Sequence, residues 1–249
     1  MPRVIIVIPT YNEAENITRL IDSLFSLSVP DLELLIVDDN SPDKTGQIAE
    51  QLSPKYGGRV HVLHRAGKQG LGTAYIEGFN WALNNGADYI GQMDADFSHH
   101  PKYVPQLVES IQKYDAVIGS RYTAGGKLDE RWSPLRKLLS WWANRVWVGF
   151  ILQTPVKDNT GGFRMWRRKT LIGMDLRRVR SNGYVFQVEI TYIALKLGYS
   201  FGEVPIYFAD RELGKSKLGF GVSMEAALRV IQVWFRHRHL TPADRAAGG

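Results

Sequence analysis

Asp88-Tyr-Ile-Gly-Gln-Met-Asp94-Ala-Asp96-Phe-Ser-His-His-Pro101 reads as a strand that runs into its own ligand site. The run from Tyr89 to Met93 carries no charge, as in a strand buried on both faces. Asp94 and Asp96 follow at once. Side chains two apart on an extended chain share a face, so the spacing predicts two carboxylates on one side of the strand's C-terminal end, where ligands bind in open α/β sheets. Two like charges about 4 Å apart repel by roughly 4 kcal/mol at an effective dielectric of 20, which calls for a cation between them. One or two carboxylates completed by substrate phosphates suit Mg²⁺ or Mn²⁺. A plainer reading makes both aspartates helix caps, with Pro101 in the first turn. His99 and His100 are read as loop residues, because a chain without cysteine disfavours a Cys/His zinc site.

The same alternation extends outward. Strands are expected over 4–8, 32–37, 60–64 and 116–120, and helices over 14–27, 45–52, 73–84 and 102–113. Alternating strands and helices predict a mostly parallel sheet covered on both faces. Thr10 and Glu13 fit a capping box. Gly67-Lys-Gln-Gly70-Leu-Gly72 has neither the P-loop spacing nor the dinucleotide order, and a tight turn before the next helix accounts for it. Past Arg121 the pattern changes to a charged loop over 122–133 and then an apolar helical stretch over 134–152. Its Trp141, Trp142 and Trp147, with Arg136, Lys137 and Arg145, suit a membrane interface or a helix buried between segments. Strand and turn are expected over 156–166, helices over 184–197 and 222–235, and a strand over 201–208. Arg236-His-Arg-His239 reads as a solvated cationic last turn. The chain is read as one catalytic domain over 1–239 with a flexible tail over 240–249.

Charge is unevenly placed. Residues 1–120 hold 9 Lys+Arg against 15 Asp+Glu, and residues 121–180 hold 14 against 4. An acidic half suited to a cation thus precedes a basic segment suited to anions, whether nucleic acid, phosphate-bearing substrate or anionic membrane. The absence of cysteine excludes disulfides and thiol chemistry and fits a reducing compartment. The N-terminal apolar run is too short for a signal peptide, and no run of 18 uncharged apolar residues predicts a membrane-spanning helix.

Six motifs stand in one order: Pro9-Thr-Tyr-Asn-Glu13, Asp38-Asp39-x-Ser41-Pro-Asp43, Gly70-Leu-Gly72-Thr-Ala, Met93-Asp-Ala-Asp96, Gly119-Ser-Arg121-Tyr and Arg211-x-x-Gly214-x-Ser216-Lys217. In that order they resemble the family 2 inverting glycosyltransferases of GT-A-type, Rossmann-like fold, and within them the polyprenol-phosphate (dolichol-phosphate) mannose synthases, over roughly residues 3–238. Asn40 and Lys44, and Gly161-Gly162 before Phe163-Arg164, depart from the commoner pattern. The resemblance implies transfer of mannose from GDP-mannose to a polyprenyl monophosphate. Pro9, Tyr11, Glu13, Val37 and Asp39 would hold the nucleoside. Asp94, Ala95 and Asp96 would hold the diphosphate through the divalent cation. Arg121 would lie at the reacting centre, with Arg136 and Ser140 receiving the lipid phosphate, while Arg211 and Lys217 close over the donor. It further implies C-terminal amphipathic helices, peripheral contact with an anionic membrane on the cytoplasmic side, and a membrane-anchoring partner protein. The alternatives are a UDP-sugar-dependent transferase such as a polyprenyl-phosphate glucose synthase, a catalytically silent subunit, and a module in which the arginines of 164–180 track nucleic-acid phosphates. The paired aspartates and acidic N-terminal half speak against the last, and no nucleic-acid partner is expected.

Overall fold

The computed structural model describes residues 1–183, 185–209 and 220–248, with nothing stated of the side chains of 220–227. A seven-stranded sheet runs β3-β2-β1-β4-β7-β5-β8. Its strands are β1 (Val4–Thr10), β2 (Leu32–Asp38), β3 (Val60–His64), β4 (Tyr89–Gln92), β5 (Ala116–Ser120), β7 (Arg164–Arg167) and β8 (Phe201–Pro205). β7 alone among the seven is antiparallel to its neighbours, β4 and β5. A parallel pair, β6 (Lys127–Leu128) and β9 (Tyr207–Phe208), lies outside the sheet.

β1 shows why the sheet is double-sided. Its alternate residues Val4, Ile6 and Ile8 pack with Ile17, Leu20, Ile21 and Leu24 of helix α1 (Ala14–Phe25), with Ala49 of α2 (Thr45–Leu52), and with Val104 and Leu107 of α4 (Val104–Ser110). Ile5 and Val7 point the other way. There they meet Ala74, Tyr75 and Phe79 of α3 (Leu71–Asn84), with Leu171 of α7 (Arg168–Met174) and Phe186 and Ile190 of α8 (Val185–Lys196) in the same core. Period-two burial on both faces makes the strand a continuous apolar run.

Residues 134–152 are helical throughout but not uniformly. α5 (Pro134–Trp141) passes into a π-helical segment, Trp142–Val148, and then into α6 (Gly149–Leu152). Val148 and Leu152 pack against Val185, Val188 and Tyr192 of α8 and Val230 and Val233 of α9 (Phe220–His237). The expected tail is docked. Leu240 is buried, Arg245 donates to the carbonyls of Leu197 and Gly198, and the Ala246 amide bonds the Gly173 carbonyl. Those carbonyls belong to helix ends, which carry unpaired acceptors.

Candidate active site

The strand order reverses between β1 and β4, the usual place for a ligand crevice. The loops that leave β1, β2, β4 and β5 at their C-terminal ends carry Tyr11 and Glu13, Asp39, Asp94 and Asp96, and Arg121 respectively.

The loops after β1 and β2 brace each other. Asp38 accepts bonds from Thr10 Oγ1 at 3.0 Å and Ser41 Oγ at 2.5 Å. Ser41, Asp43 and Thr45 in turn accept the main-chain amides of Asn12, Ala14 and Glu13. Thr10 is therefore part of the strand, and the expected capping box does not form: Glu13 caps α1 without a side-chain bond to its backbone. The Ser41-Pro-Asp43 motif instead supplies acceptors to the first turn of α1, which has unpaired amides to satisfy. Asp39 pairs with buried Arg65, which also reaches Glu77 at 3.1 Å and Thr73 at 2.6 Å. Burial lifts the Asp39 carboxyl above its usual range, with Arg65 pulling the other way. Tyr11 is exposed and Pro9 half-buried. Val37 is fully buried in the core under α3, which leaves its side chain away from any ligand. The two glycines before α3 answer a close approach: a methyl on Gly72 would fall 2.8 Å from the Ser181 carbonyl oxygen, and one on Gly70 would collide with Asn182.

After Gln92 the chain bends rather than continuing as a strand. Asp96 is buried and accepts from the Ser98 amide and hydroxyl at 3.1 and 2.6 Å. Phe97 takes φ 61° to close this turn, a strained conformation of the kind found at functional sites. Asp94 is half-exposed, and its Oδ1 accepts from the Tyr75 hydroxyl at 3.2 Å. Neither aspartate caps the following 3₁₀ turn, Pro101–Tyr103; His100 does, through Lys102 N. His99 is no loop residue in the ordinary sense. It is 1% exposed, stacks on Phe163, and its Nδ1 accepts the Asp94 amide at 3.1 Å. An accepting Nδ1 requires the neutral ring with its proton on Nε2, and burial lowers the His99 pKa accordingly.

Arg121 makes an ion pair with a fully buried carboxylate. Its Nε and Nη2 donate to the two oxygens of Asp158 at 2.8 and 2.7 Å, its amide to Asp158 Oδ2 at 2.9 Å, and Nη2 also to Thr160. Asp158 is fully buried. Burial works to raise its pKa, but Arg121 and Asn144 hold it below the usual range. Asn144, from the π-helical segment, donates to Asp158 and Thr160 and accepts the Asn159 amide. Next to Arg121, the Tyr122 hydroxyl bonds Ser140 Oγ at 2.7 Å, and Arg136 lies over the Trp132 ring at 3.6 Å. Arg121 also lies 5.2 Å from the centroid of Phe208, which leads toward Arg211 and Lys217; these two fall outside the described residues.

Much of the basic segment is structural. Arg164 is fully buried, donates to the carbonyls of Gly161 and Asn159 and to Thr191, and burial pushes its pKa down to about 9. Arg167 and Arg168 donate to the carbonyls of Ile111, Gln112, Leu83 and Ala87. Arg236 and His237, expected as a solvated cap, both bond the buried Glu189. Burial opposes the charge on Glu189, yet bonds from His237, Ser181 and Arg180 hold its pKa down at about 2.

The outer face of 134–152 is bare. Leu135, Leu138, Leu139 and Phe150 are 57–81% exposed, with Trp141 and Trp142 close to half. Trp147 is half-buried against the α8–α9 packing. Among the described residues no helix is long and apolar enough to cross a membrane.

Residues 5–173 match the family described as Glycosyl transferase family 2, and the chain belongs to it; it is a glycosyltransferase of GT-A-like α/β fold. It is 44% identical over 228 residues to the undecaprenyl-phosphate mannosyltransferase of Micrococcus luteus, covering 92% of each chain. It is 41% identical over 247 residues to the polyprenol monophosphomannose synthase of Mycolicibacterium smegmatis, covering 99% of this chain and 91% of the relative. Among solved structures, glucosyl-3-phosphoglycerate synthase from Mycobacterium tuberculosis in complex with Mn²⁺, UDP and phosphoglyceric acid shares the fold. Its TM-score is 0.64 at 18% identity, over 94% of this chain and 78% of that one.

Proposed function

We propose that the chain transfers mannose from GDP-mannose to a polyprenyl monophosphate with inversion, giving polyprenyl-phosphate mannose and GDP. The relatives' names support the acceptor class and the sugar. The observation that carries the reading is the continuity of the far side of the crevice. Arg121, Tyr122 and Ser140 form one polar run, and Ser140 lies on the helix whose outer face is exposed leucine and tryptophan. A lipid phosphate needs that pairing of a polar seat with an apolar bed. The same face is the proposed contact with an anionic membrane on its cytoplasmic side, Lys137 and Arg145 adding charge.

Asp94 and Asp96 fit a divalent cation by donor type: both offer hard carboxylate oxygens, oriented by Tyr75 and Ser98, which suits Mg²⁺ or Mn²⁺. When bound, such an ion supplies Lewis-acid stabilisation of the departing diphosphate. Tyr11, Glu13 and Asp39, with main-chain atoms of Pro9, Val37 and Ala95, would hold the donor. The acceptor phosphate is largely dianionic at neutral pH, its second pKa being about 6, so the site needs no general base to create the nucleophile. Its task is to hold two anions in line. The Arg121–Asp158 pair is neutral overall. Arg121 thus contributes a fixed donor edge rather than excess charge, and counter-charge falls to Arg136, Arg211 and Lys217.

A radiolabelled-sugar panel with a short polyprenyl phosphate tests the reading. Label from GDP-mannose is expected in the organic phase, sensitive to chelator. Faster transfer from UDP-glucose would overturn the donor assignment.

A further inference from the structure

Three buried side chains behind Asp94 form a relay whose polarity is set at one end. The Trp166 indole can only donate, and it bonds Gln92 Oε1 at 3.3 Å. That fixes the orientation of the Gln92 amide. Its Nε2 must then face away from Trp166, where it donates to Gln187 Oε1 at 2.7 Å. With its oxygen committed, Gln187 is left with Nε2 as its outward atom. This amide nitrogen has no hydrogen-bond partner among the described residues, although the residue is only 3% exposed. Trp166 and Gln92 are fully buried.

Gly162 shows where that nitrogen faces. A methyl placed on Gly162 would fall 3.4 Å from Gln187 Nε2, 3.2 Å from His99 Cε1 and 3.7 Å from Asp94 Oδ1. One point is thus within 4 Å of an unpaired donor, a neutral ring edge and a half-exposed carboxylate. A site that keeps an NH₂ without a protein partner beside its carboxylate rejects a ligand lacking the matching oxygen more strongly than an apolar pocket does.

We propose that Gln187 is a specificity-determining residue whose Nε2 donates to a hydroxyl oxygen of the transferred hexose, held in that orientation by Trp166 through Gln92. The proposal rests on the nucleotide-sugar reading above. The oxygen sought belongs to the sugar rather than to the diphosphate, and the test separates these sources.

Gln187→Met removes the donor at similar volume. Gln187→Glu keeps the acceptor that Gln92 needs and serves if the first variant does not fold, folding being followed by thermal melting. The full-length chain is assayed with whichever nucleotide sugar the wild type uses, with a donor carrying an epimer of that sugar, and for binding of the bare nucleoside diphosphate with Mn²⁺. The expected result is a loss of about tenfold or more in kcat/KM for the preferred donor. Discrimination against the epimer should narrow, and nucleoside diphosphate affinity should stay within about twofold. Unchanged discrimination overturns the proposal. So does an equal loss for both donors accompanied by weakened nucleoside diphosphate binding, which would place the contact on the phosphates. Failure of the wild type to use a polyprenyl phosphate sinks the acceptor assignment alone, since the variants are compared on the donor; a wild type inert on every nucleotide sugar overturns both.

Discussion

At the ends of β1, β2 and β4 the polar side chains are buried and braced against one another, whereas along 134–152 large apolar side chains stand in the open. Asp38, Asp39 and Asp96 are each less than 9% exposed and hydrogen-bonded to neighbours. Leu135 and Phe150 are 65% and 81% exposed. A polar ligand is gripped by groups whose geometry is fixed in advance, which reduces the ordering cost of binding. An apolar chain or bilayer is non-directional in its demands and needs only surface. The two sides meet at Asp158, which anchors Arg121 from β5 and Asn144 from the helix at once.

Breaking that meeting point should have the largest effect. Asp158→Ala leaves Arg121 buried without its carboxylate, and removal of one partner of a buried pair costs about 3–5 kcal/mol. Urea denaturation is expected to show a loss of that order, and turnover should fall with it. The braced side is tested next by Asp94→Asn with Asp96→Asn, which keeps hydrogen-bonding capacity and removes charge. Turnover should drop about a hundredfold or more while the melting temperature changes little, and excess chelator should do the same to the wild type. Unaltered kinetics in chelator would show that the two carboxylates work without a metal.

The open side is tested by Leu138→Ser, Leu139→Ser and Phe150→Ser together. Vesicle co-sedimentation should weaken by about tenfold or more, given roughly 25 cal/mol per Å² of apolar surface, with nucleotide affinity unchanged. Co-sedimentation indifferent to these changes would leave the face to a partner protein or a second copy of the chain. The smallest expected effect is on pH dependence. His99 has its pKa lowered from the ordinary 6.5, so the unfolded chain binds its proton first and stability falls as pH drops below about 6.5. Glu189 has the same sign in a lower window: its stabilisation is present above 4.5 and is lost as pH falls toward about 2. Melting curves of wild type and His99→Asn should converge at neutral-to-low pH if the first window belongs to His99.

The alternation of strand and helix was legible because β1, β2, β4 and β5 are largely apolar runs, and β3 mixes Val and Leu with His. All are of ordinary strand length and separated by helical periodicity. β7 was not. Arg-Met-Trp-Arg looks like surface, yet Arg164 is buried and answered by carbonyls that only the fold brings near. Asp94, Asp96 and Arg121 stood out by motif order, and Ser140 through the family resemblance alone. Their partners Tyr75, Asn144 and Asp158 did not, since those bonds span chain segments whose approach is a tertiary fact. His99 reads as a loop residue because its stacking on Phe163 is tertiary too. Gln92 gave the one available signal, a polar side chain inside an otherwise apolar strand. The tail was misjudged because small and polar residues resemble a frayed end unless the helix carbonyls they satisfy are known.

The π-helical segment Trp142–Val148 has one further consequence. A π turn holds one residue more than the α turn it replaces, so it offsets everything downstream by roughly 100°. That offset lets Asn144 reach Asp158 while Val148 and Leu152 still meet α9. Deleting Ala143 would let the segment relax to an ordinary α-helix and swing one of those two contacts out of reach. A single surplus residue thus acts as the swivel between the Asp158 network and the outer helix.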